Sequence, residues 1–395
     1  MNFIFISPNY PPSYWQFCQR LRDNGVTVLA IGDAPYFELC EPLRSCLTEY
    51  YYLNSLHDYD QVYRAVAFFI FKYGRIDWLD SNNGYWMEQD ARLRSDFNIR
   101  TGLLGDHSAV WGRRSKMLAT LREAGLPVLR CRPASTVQEV RDLLGEIGGY
   151  PIVGKPDIAW TTSAKLESDS ELNAFFMGKP MGTYLFEEWL EGEVCSYDAI
   201  TDSAGEPLFE SMSVWPRSIA NLARSGENMA YYTCASMPEE LRELGRREIR
   251  ALGANSRFVH LRFLHVARYR PGAVYGGEYL ALDANLRPAD CYLPDMINFA
   301  HSTDVYRIWA DMVVRDCRLL PDSGEHHWCA YAGRRDHEPY AHSHEEILSR
   351  YSARLALCER VPENVPEMMG NQMYAIHAYS EEEVREFIAY VHELS

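Results

Sequence analysis

Four short tracts carry groups able to act on an anion, and they follow one another in a set order. Arg113-Arg114-Ser115-Lys116 opens a helical pattern, where cations beside free backbone N–H groups can meet a phosphate. Val153-Gly154-Lys155-Pro156 ends an apolar strand in a lysine, which must face a charge or water. Leu185-Phe186-Glu187-Glu188-Trp189-Leu190-Glu191-Gly192 couples acidic groups to an apolar strand whose backbone could hydrogen-bond a flat base. Leu282-Asp283-Ala284-Asn285-Leu286-Arg287-Pro288 sets a carboxylate and an amide two residues apart, hence on one strand face. Hard oxygen ligands so spaced suit Mg²⁺ carried by a nucleotide.

Composition narrows the substrates. The 395 residues are 47% hydrophobic and 24% charged, in the range of globular domains, and the length predicts two or three of them. With 39 basic against 55 acidic residues the net charge is −16, which argues against nucleic acid or an anionic membrane surface as partner. The longest apolar runs, such as Val66-Ala67-Phe68-Phe69-Ile70-Phe71, fall far short of the ~20 residues of a membrane span. The start, Met1–Pro8, reads as a buried strand and not a signal peptide. Ten cysteines without a C-x-x-C pair fit neither a disulfide scaffold nor a zinc site, so a reducing cytoplasm is the expected compartment. Only five residues are lysines (72, 116, 155, 165 and 179), which makes Lys116 and Lys155 worth individual attention.

The elements that must position these groups begin with βαβ units. Phe3–Ser7, Val26–Ile31, Thr48–Leu53 and Asp77–Asp80 read as strands, alternating with helices at Ser13–Asn24 and Tyr59–Tyr73. Ligands of such parallel sheets lie beyond the strands' carboxyl ends, which directs attention to Asn9 after the first strand and Asn82, Asn83 and Tyr85 after the fourth. Turn formation is the plainer role for these residues. No G-x-G-x-x-G is present in either loop, so a dinucleotide fingerprint is absent. Helices are expected at Arg113–Ala124, Val137–Ile147 and Pro238–Leu252, with a strand near Val128–Cys131. Long alternating runs from Tyr184 to Arg287 suggest an antiparallel sheet, and Cys317–Ser395 reads as a small α+β cap.

In this order the tracts resemble the ATP-grasp superfamily, in particular carboxylate–amine ligases and carbamoyl-phosphate-synthetase-like members. The likeness runs over most of residues 1–315 and includes Ser196-Tyr197-Asp198. It implies an N-terminal parallel α/β domain (1–105), a two-lobed ATP-grasp domain (106–316, lobes about 113–190 and 191–316) and the C-terminal α+β subdomain (317–395). It also implies ATP with Mg²⁺ as cofactors: Lys116 and Lys155 on the phosphates, Glu187, Glu188, Trp189, Leu190, Glu191 and Asp198 around the nucleotide, and Asp283 and Asn285 on the metal. Arg287 would hold the transferred phosphoryl group. The tract Ser81–Arg94, with Asn82, Asn83, Tyr85 and Arg92, looks like one sub-group's signature and would wall the acceptor pocket. Small carboxylates and amines are the implied substrates, and a homodimer is among the assemblies such proteins form.

Two departures stand beside the matches. After the lysine strand the family carries a glycine-rich loop, whereas here stands Asp157–Lys165 without a glycine. In Phe258-Val259-His260-Leu261-Arg262-Phe263, Arg262 aligns with the family's first metal-binding glutamate, and a guanidinium cannot ligate a metal. It can neutralise phosphate charge directly. The resemblance therefore implies either a ligase working through an acyl phosphate or a catalytically impaired relative that binds nucleotide as a sensor or partner subunit. Histidines 326, 327, 337, 342 and 344 match no closed zinc spacing and read as surface residues. Cys195 and Cys291 read as packed thiols. Tyr14, Trp15, Tyr85 and Trp86 suit a core or a stacked ligand equally.

Overall fold

The computed structural model describes residues 1–104, 112–158, 163–178, 182–216, 228–270, 275, 277–289, 292–363, 365 and 367–395. Its first sheet is parallel and comprises β1 (Asn2–Ile6), β2 (Thr27–Gly32), β3 (Glu49–Tyr52) and β4 (Trp78–Asp80) in the order β3-β2-β1-β4. Phe3, Ile4, Phe5 and Ile6 are all fully buried, because helices cover both faces. Phe3 and Phe5 pack with Phe17 and Trp309, whereas Ile4 and Ile6 pack with Val62 and Phe69. Strand order reverses at β1, so the loops after β1 and β4 lie side by side at a topological switch point.

A second, antiparallel sheet holds β5 (Cys131–Ala134), β6 (Ile152–Pro156), β7 (Ala164–Leu166) and β8 (Tyr184–Glu188) in the order β5-β8-β6-β7. Its helix Val137–Ile147 begins in a capping box, Thr136 with Glu139, and buries Val140, Leu143 and Ile147 against the sheet. The expected strand at Val128–Cys131 lies at Cys131–Ala134 instead. Pro133 is tolerated there because β5 is an edge strand, and Val128 makes only an isolated bridge to Ala281.

The largest sheet has eight antiparallel strands: β9 (Glu191–Thr201), β10 (Pro207–Trp215), β11 (Ala230–Thr233), β12 (Arg257–Arg268), β13 (Tyr279–Asn285), β14 (Trp328–Arg334), β15 (Leu355–Arg360) and β16 (Gln372–Ala378). Their order is β13-β12-β9-β10-β11-β14-β16-β15. One side packs on the helix Glu239–Leu252, where Gly245 permits close approach: a Cβ there would meet the Tyr197 ring at 2.4 Å. The other side packs on helices Leu293–His301 and Val305–Arg315, which no sequence pattern had singled out. The C-terminal segment has the expected strand and helix sequence, yet its three strands extend the large sheet rather than standing apart as a cap. Pairing with β14 satisfies the backbone of β11, which would otherwise be an edge strand. The expected boundary near residue 105 lies outside the described residues. No described helix is long and apolar enough to cross a membrane.

Candidate functional site

The first two cationic tracts are joined by a residue that sequence reasoning passed over. Asp157, 2% exposed, follows β6 and accepts from the backbone N and the Oγ of Ser115, both at 2.8 Å. Its backbone oxygen accepts from Arg114 N at 3.0 Å, and Arg113 Nη1 lies 3.7 Å from its carboxylate. An aspartate at a helix start satisfies free N–H groups and suits the positive end of the dipole. Asp157 thereby ties the helix Arg114–Glu123 to the end of the Lys155 strand. Lys116 is exposed near that helix start and has no ion pair among the described residues.

On the small sheet, Val153 pairs with Glu187 and Lys155 with Leu185, which sets Lys155 diagonally across from Glu187 on one face. Lys155 Nζ donates to Glu187 Oε2 at 2.7 Å, and the two side chains are 16% and 3% exposed. Glu188 has a different fate. Arg130 donates to its Oε2 from Nη2 at 2.7 Å and Nε at 3.0 Å, the Arg130 backbone N reaches Oε1 at 2.8 Å, and Tyr275 Oη donates at 2.7 Å. That carboxylate is saturated by protein donors, so only its neighbour Glu187 stays beside the lysine. Lys165 Nζ lies 4.9 Å from the centre of the Trp189 ring; Leu190 is buried in the core and Glu191 is exposed.

The large sheet presents two rows on one face. Ser196, Arg262 and Asp283 align across β9, β12 and β13, and Asp198, His260 and Asn285 form the next row. Ser196 Oγ donates to Asp198 Oδ2 at 2.5 Å, and His260 Nδ1 lies 2.7 Å from Asp198 Oδ1. Arg262 donates from Nε to Asp283 Oδ1 at 2.8 Å and from Nη2 to Oδ2, while Arg114 Nη1 sits 3.4 Å from Oδ2. Burial alone would raise the Asp283 carboxyl, but Arg262, Arg114 and Lys155 together hold it well below the usual carboxylate range. The Lys155 strand and the Asp283 strand thus face one electrostatic neighbourhood. Arg287 is buried beyond β13 and donates from Nη1 to Pro288 O at 2.8 Å.

These residues do not fit the Mg²⁺ that the resemblance implied. Both Asp283 oxygens carry guanidinium donors, which leaves of the two expected ligands the Asn285 Oδ1 acceptor, buried without a protein partner. No group of three or more His, Cys, Asp or Glu able to hold a metal occurs among the described residues. The glycine-poor loop falls partly on residues 159–162, outside the described residues, as does Cys291. The five C-terminal histidines are exposed or half-buried, and Cys195 is packed in the core with its thiol pushed up by burial.

At the switch point beyond β1 and β4, buried polar atoms collect. Asn82 is 5% exposed and adopts φ 51°, its backbone O accepts from Tyr14 Oη at 2.8 Å, and its Nδ2 has no protein partner. Asn9 Oδ1 and Asp90 Oδ1 are likewise buried without partners. Asp90 is fully buried, and desolvation with the nearby Asp80 raises its carboxyl to about 7. Asn83 accepts from Tyr85 N at 3.0 Å, the turn role, and Tyr85 is 64% exposed against His57 and Trp86. Arg92 does not reach this cluster: its guanidinium lies 3.7 Å over the Tyr59 ring. Arg94 does, donating to Leu79 O at 2.7 Å and Leu103 O at 2.8 Å, with Asp80 3.3 Å away. Buried Arg257, bound to Leu286 O at 3.2 Å, feels Asp80 and links this cluster to the large sheet. The sequence signal for Asp157 was its position two residues after Lys155. Arg114 and Arg94 lay within tracts the sequence singled out, whereas Arg130 and Arg257 gave no signal.

No family model matches the sequence. Over 73 residues it is 38% identical to a cyanophycin synthetase of Geminocystis herdmanii (strain PCC 6308), a stretch that is 18% of this chain. The match covers 8% of that relative's length. Among solved structures, an L-amino acid ligase from Bacillus licheniformis shares 13% identity with a TM-score of 0.71, over 98% of this chain and 95% of that one. N5-carboxyaminoimidazole synthetase from Staphylococcus aureus complexed with ADP gives 12%, 0.69, 98% and 95% respectively. The biotin carboxylase domain of the Hydrogenobacter thermophilus 2-oxoglutarate carboxylase, in complex with MgADP, ADP and bicarbonate, gives 11%, 0.68, 97% and 88%. At such identities the likeness is one of fold, and it spans nearly the whole chain.

Proposed function

We propose, on the premise that the chain has the ATP-grasp fold of these ligases and carboxylases, that it binds ATP and joins a carboxylate to an amine through an acyl phosphate. The observation that carries the reading is the cation cluster of Arg114, Lys155 and Arg262 around Glu187 and Asp283, built from the small sheet, the large sheet and the helix between them. In this reading the nucleotide lies between the two sheets. Lys155, Lys116 and Arg114 hold its phosphates, Glu187 keeps Lys155 oriented, and the strand after Glu188 offers backbone to the base. Arg287 holds the phosphoryl oxygens in transfer. The acceptor binds at the β1/β4 switch point, where Asn9, Asn82 and Asp90 have unmet hydrogen bonds.

Catalysis would rest on placing the carboxylate in line with the γ-phosphate and on fixed positive charge around it. The amine would then attack the acyl phosphate and release phosphate. The identity of the carboxylate and amine is open to a screen: the protein with ATP, Mg²⁺ and pools of amino acids, read as ADP formed. Acceptor-dependent ADP release of at least tenfold over ATP alone supports the ligase; its absence alongside tight nucleotide binding supports the second reading.

That second reading is a nucleotide-binding protein with impaired phosphoryl transfer. The bidentate Arg262–Asp283 pair favours it, since a metal that follows charge onto a leaving phosphate finds no open carboxylate there.

A further inference from the structure

We propose that the cleft binds the phosphates of its nucleotide without a divalent cation, the Arg262 guanidinium supplying positive charge in the metal's stead. The inference rests on the nucleotide-binding reading above and would fail separately from it. It begins with the ladder: Arg262 and Asp283 are cross-strand partners on β12 and β13, so their side chains meet without distortion. Arg262 engages Asp283 side-on, through Nε and Nη2, which leaves Nη1 with two hydrogens to donate. Its side chain is 24% exposed, within reach of a ligand, whereas Asp283 is only 10% exposed.

A divalent ion would meet three obstacles here. It must displace a two-point guanidinium from a buried carboxylate, a pairing whose loss leaves charge uncompensated. It must also settle among Arg114, Lys155 and Arg262, cations that already outnumber Glu187 and Asp283. Finally, no second carboxylate shares the row, because the position across from Asp283 is the arginine itself; in the next row Asp198 is engaged by Ser196 and His260, which leaves the Asn285 amide. A polyphosphate meets the reverse situation, with preformed donors and a local excess of positive charge held rigid by two sheets.

The same charges predict a sign. Metal-free ATP carries more negative charge than its magnesium complex, so the cleft should prefer the metal-free form. Calorimetric titration of the full chain with ATP and with ADP, in EDTA and in millimolar Mg²⁺, reads this directly. We expect metal-free ATP to bind about threefold more tightly than the magnesium complex. Binding at least tenfold tighter with Mg²⁺ overturns the proposal and leaves the nucleotide reading intact. No binding under either condition at millimolar ATP overturns both.

Two variants separate the arginine from its surroundings. Arg262→Glu places a second carboxylate beside Asp283 and should make binding depend on Mg²⁺ by tenfold or more; a folded variant that binds equally in EDTA counts against the proposal. Should that variant not fold, Arg262→Gln keeps an uncharged donor and should weaken metal-free ATP binding at least tenfold. Unchanged affinity in EDTA would show that Arg262 holds no phosphate.

Discussion

Around Asp283 the Glu187 and Asp283 carboxylates meet cations, whereas at the β1/β4 switch point Asn9 Oδ1, Asn82 Nδ2 and Asp90 Oδ1 are buried without a protein partner. The proposed nucleotide cleft and the proposed acceptor pocket are thus built on opposite terms. A paired cluster keeps its shape without a ligand, because the Glu187 and Asp283 carboxylates already have donors. An unsatisfied one costs stability until a ligand or water completes it. The contrast suits a nucleotide cleft that is preorganised and an acceptor pocket that gains order and hydrogen bonds from what it binds.

The largest effect should come from breaking the paired side. Arg262→Ala leaves Asp283 buried with Arg114 as its remaining close guanidinium and should destabilise the fold by about 3 kcal/mol in chemical denaturation. A loss under about 1 kcal/mol would mean the pair is not the anchor its geometry suggests.

The unsatisfied side should show itself through pH. With its folded value raised from 3.8 to about 7, Asp90 keeps its proton in the native state while the unfolded chain releases it. Stability therefore falls as pH rises from about 4 to about 7, because the folded state binds more protons there. Asp90→Asn should flatten that decline relative to the parent chain in parallel melts. Other buried carboxyls, such as Asp295 raised to about 6, contribute equally to both curves. Coincident pH slopes would place Asp90 among ordinary, partnered acids.

Smaller changes sharpen the contrast. Asn9→Ala removes an acceptor with no protein partner and should shift stability by under about 0.5 kcal/mol, in contrast to the Arg262 variant. Lys116→Ala should be equally silent in denaturation, since the side chain is exposed, yet should weaken ATP binding several-fold by calorimetry. If binding is unaffected, Lys116 takes no part in the proposed phosphate site of Arg114, Lys155 and Arg262.

Much of the architecture was legible because local signals coincide with tertiary ones. The helix Tyr59–Tyr73 has the expected bounds, set by the Asp58 side chain accepting from Gln61 N and by Gly74 at its end, and Val137–Ile147 is bounded by its capping box and Gly148. The cationic and acidic tracts do meet across the sheets in the way their order suggests, with Lys155 beside Glu187 and both near Arg262 and Asp283. What could not be read was which of two neighbours does the work. Glu187 and Glu188 are adjacent and identical, but strand alternation sends one to Lys155 and the other to Arg130. Arg92 and Arg94 differ by two positions on one helix, and only Arg94 turns inward to the Asp80 carboxylate.

From the sequence alone came the sequence of layers and, through the order of its motifs, the expectation of a nucleotide, because apolar periodicity and capping act over a few residues and leave their mark locally. Contacts such as Ser115 with Asp157, Arg130 with Glu188 and Arg114 with Asp283 join residues 42, 58 and 169 positions apart, and no local pattern encodes such distances. The sequence put an arginine at 262; the packed sheets alone decided that it closes on both oxygens of the Asp283 carboxylate. Which charges lose their water, and which partners replace it, depends on everything that folds around them.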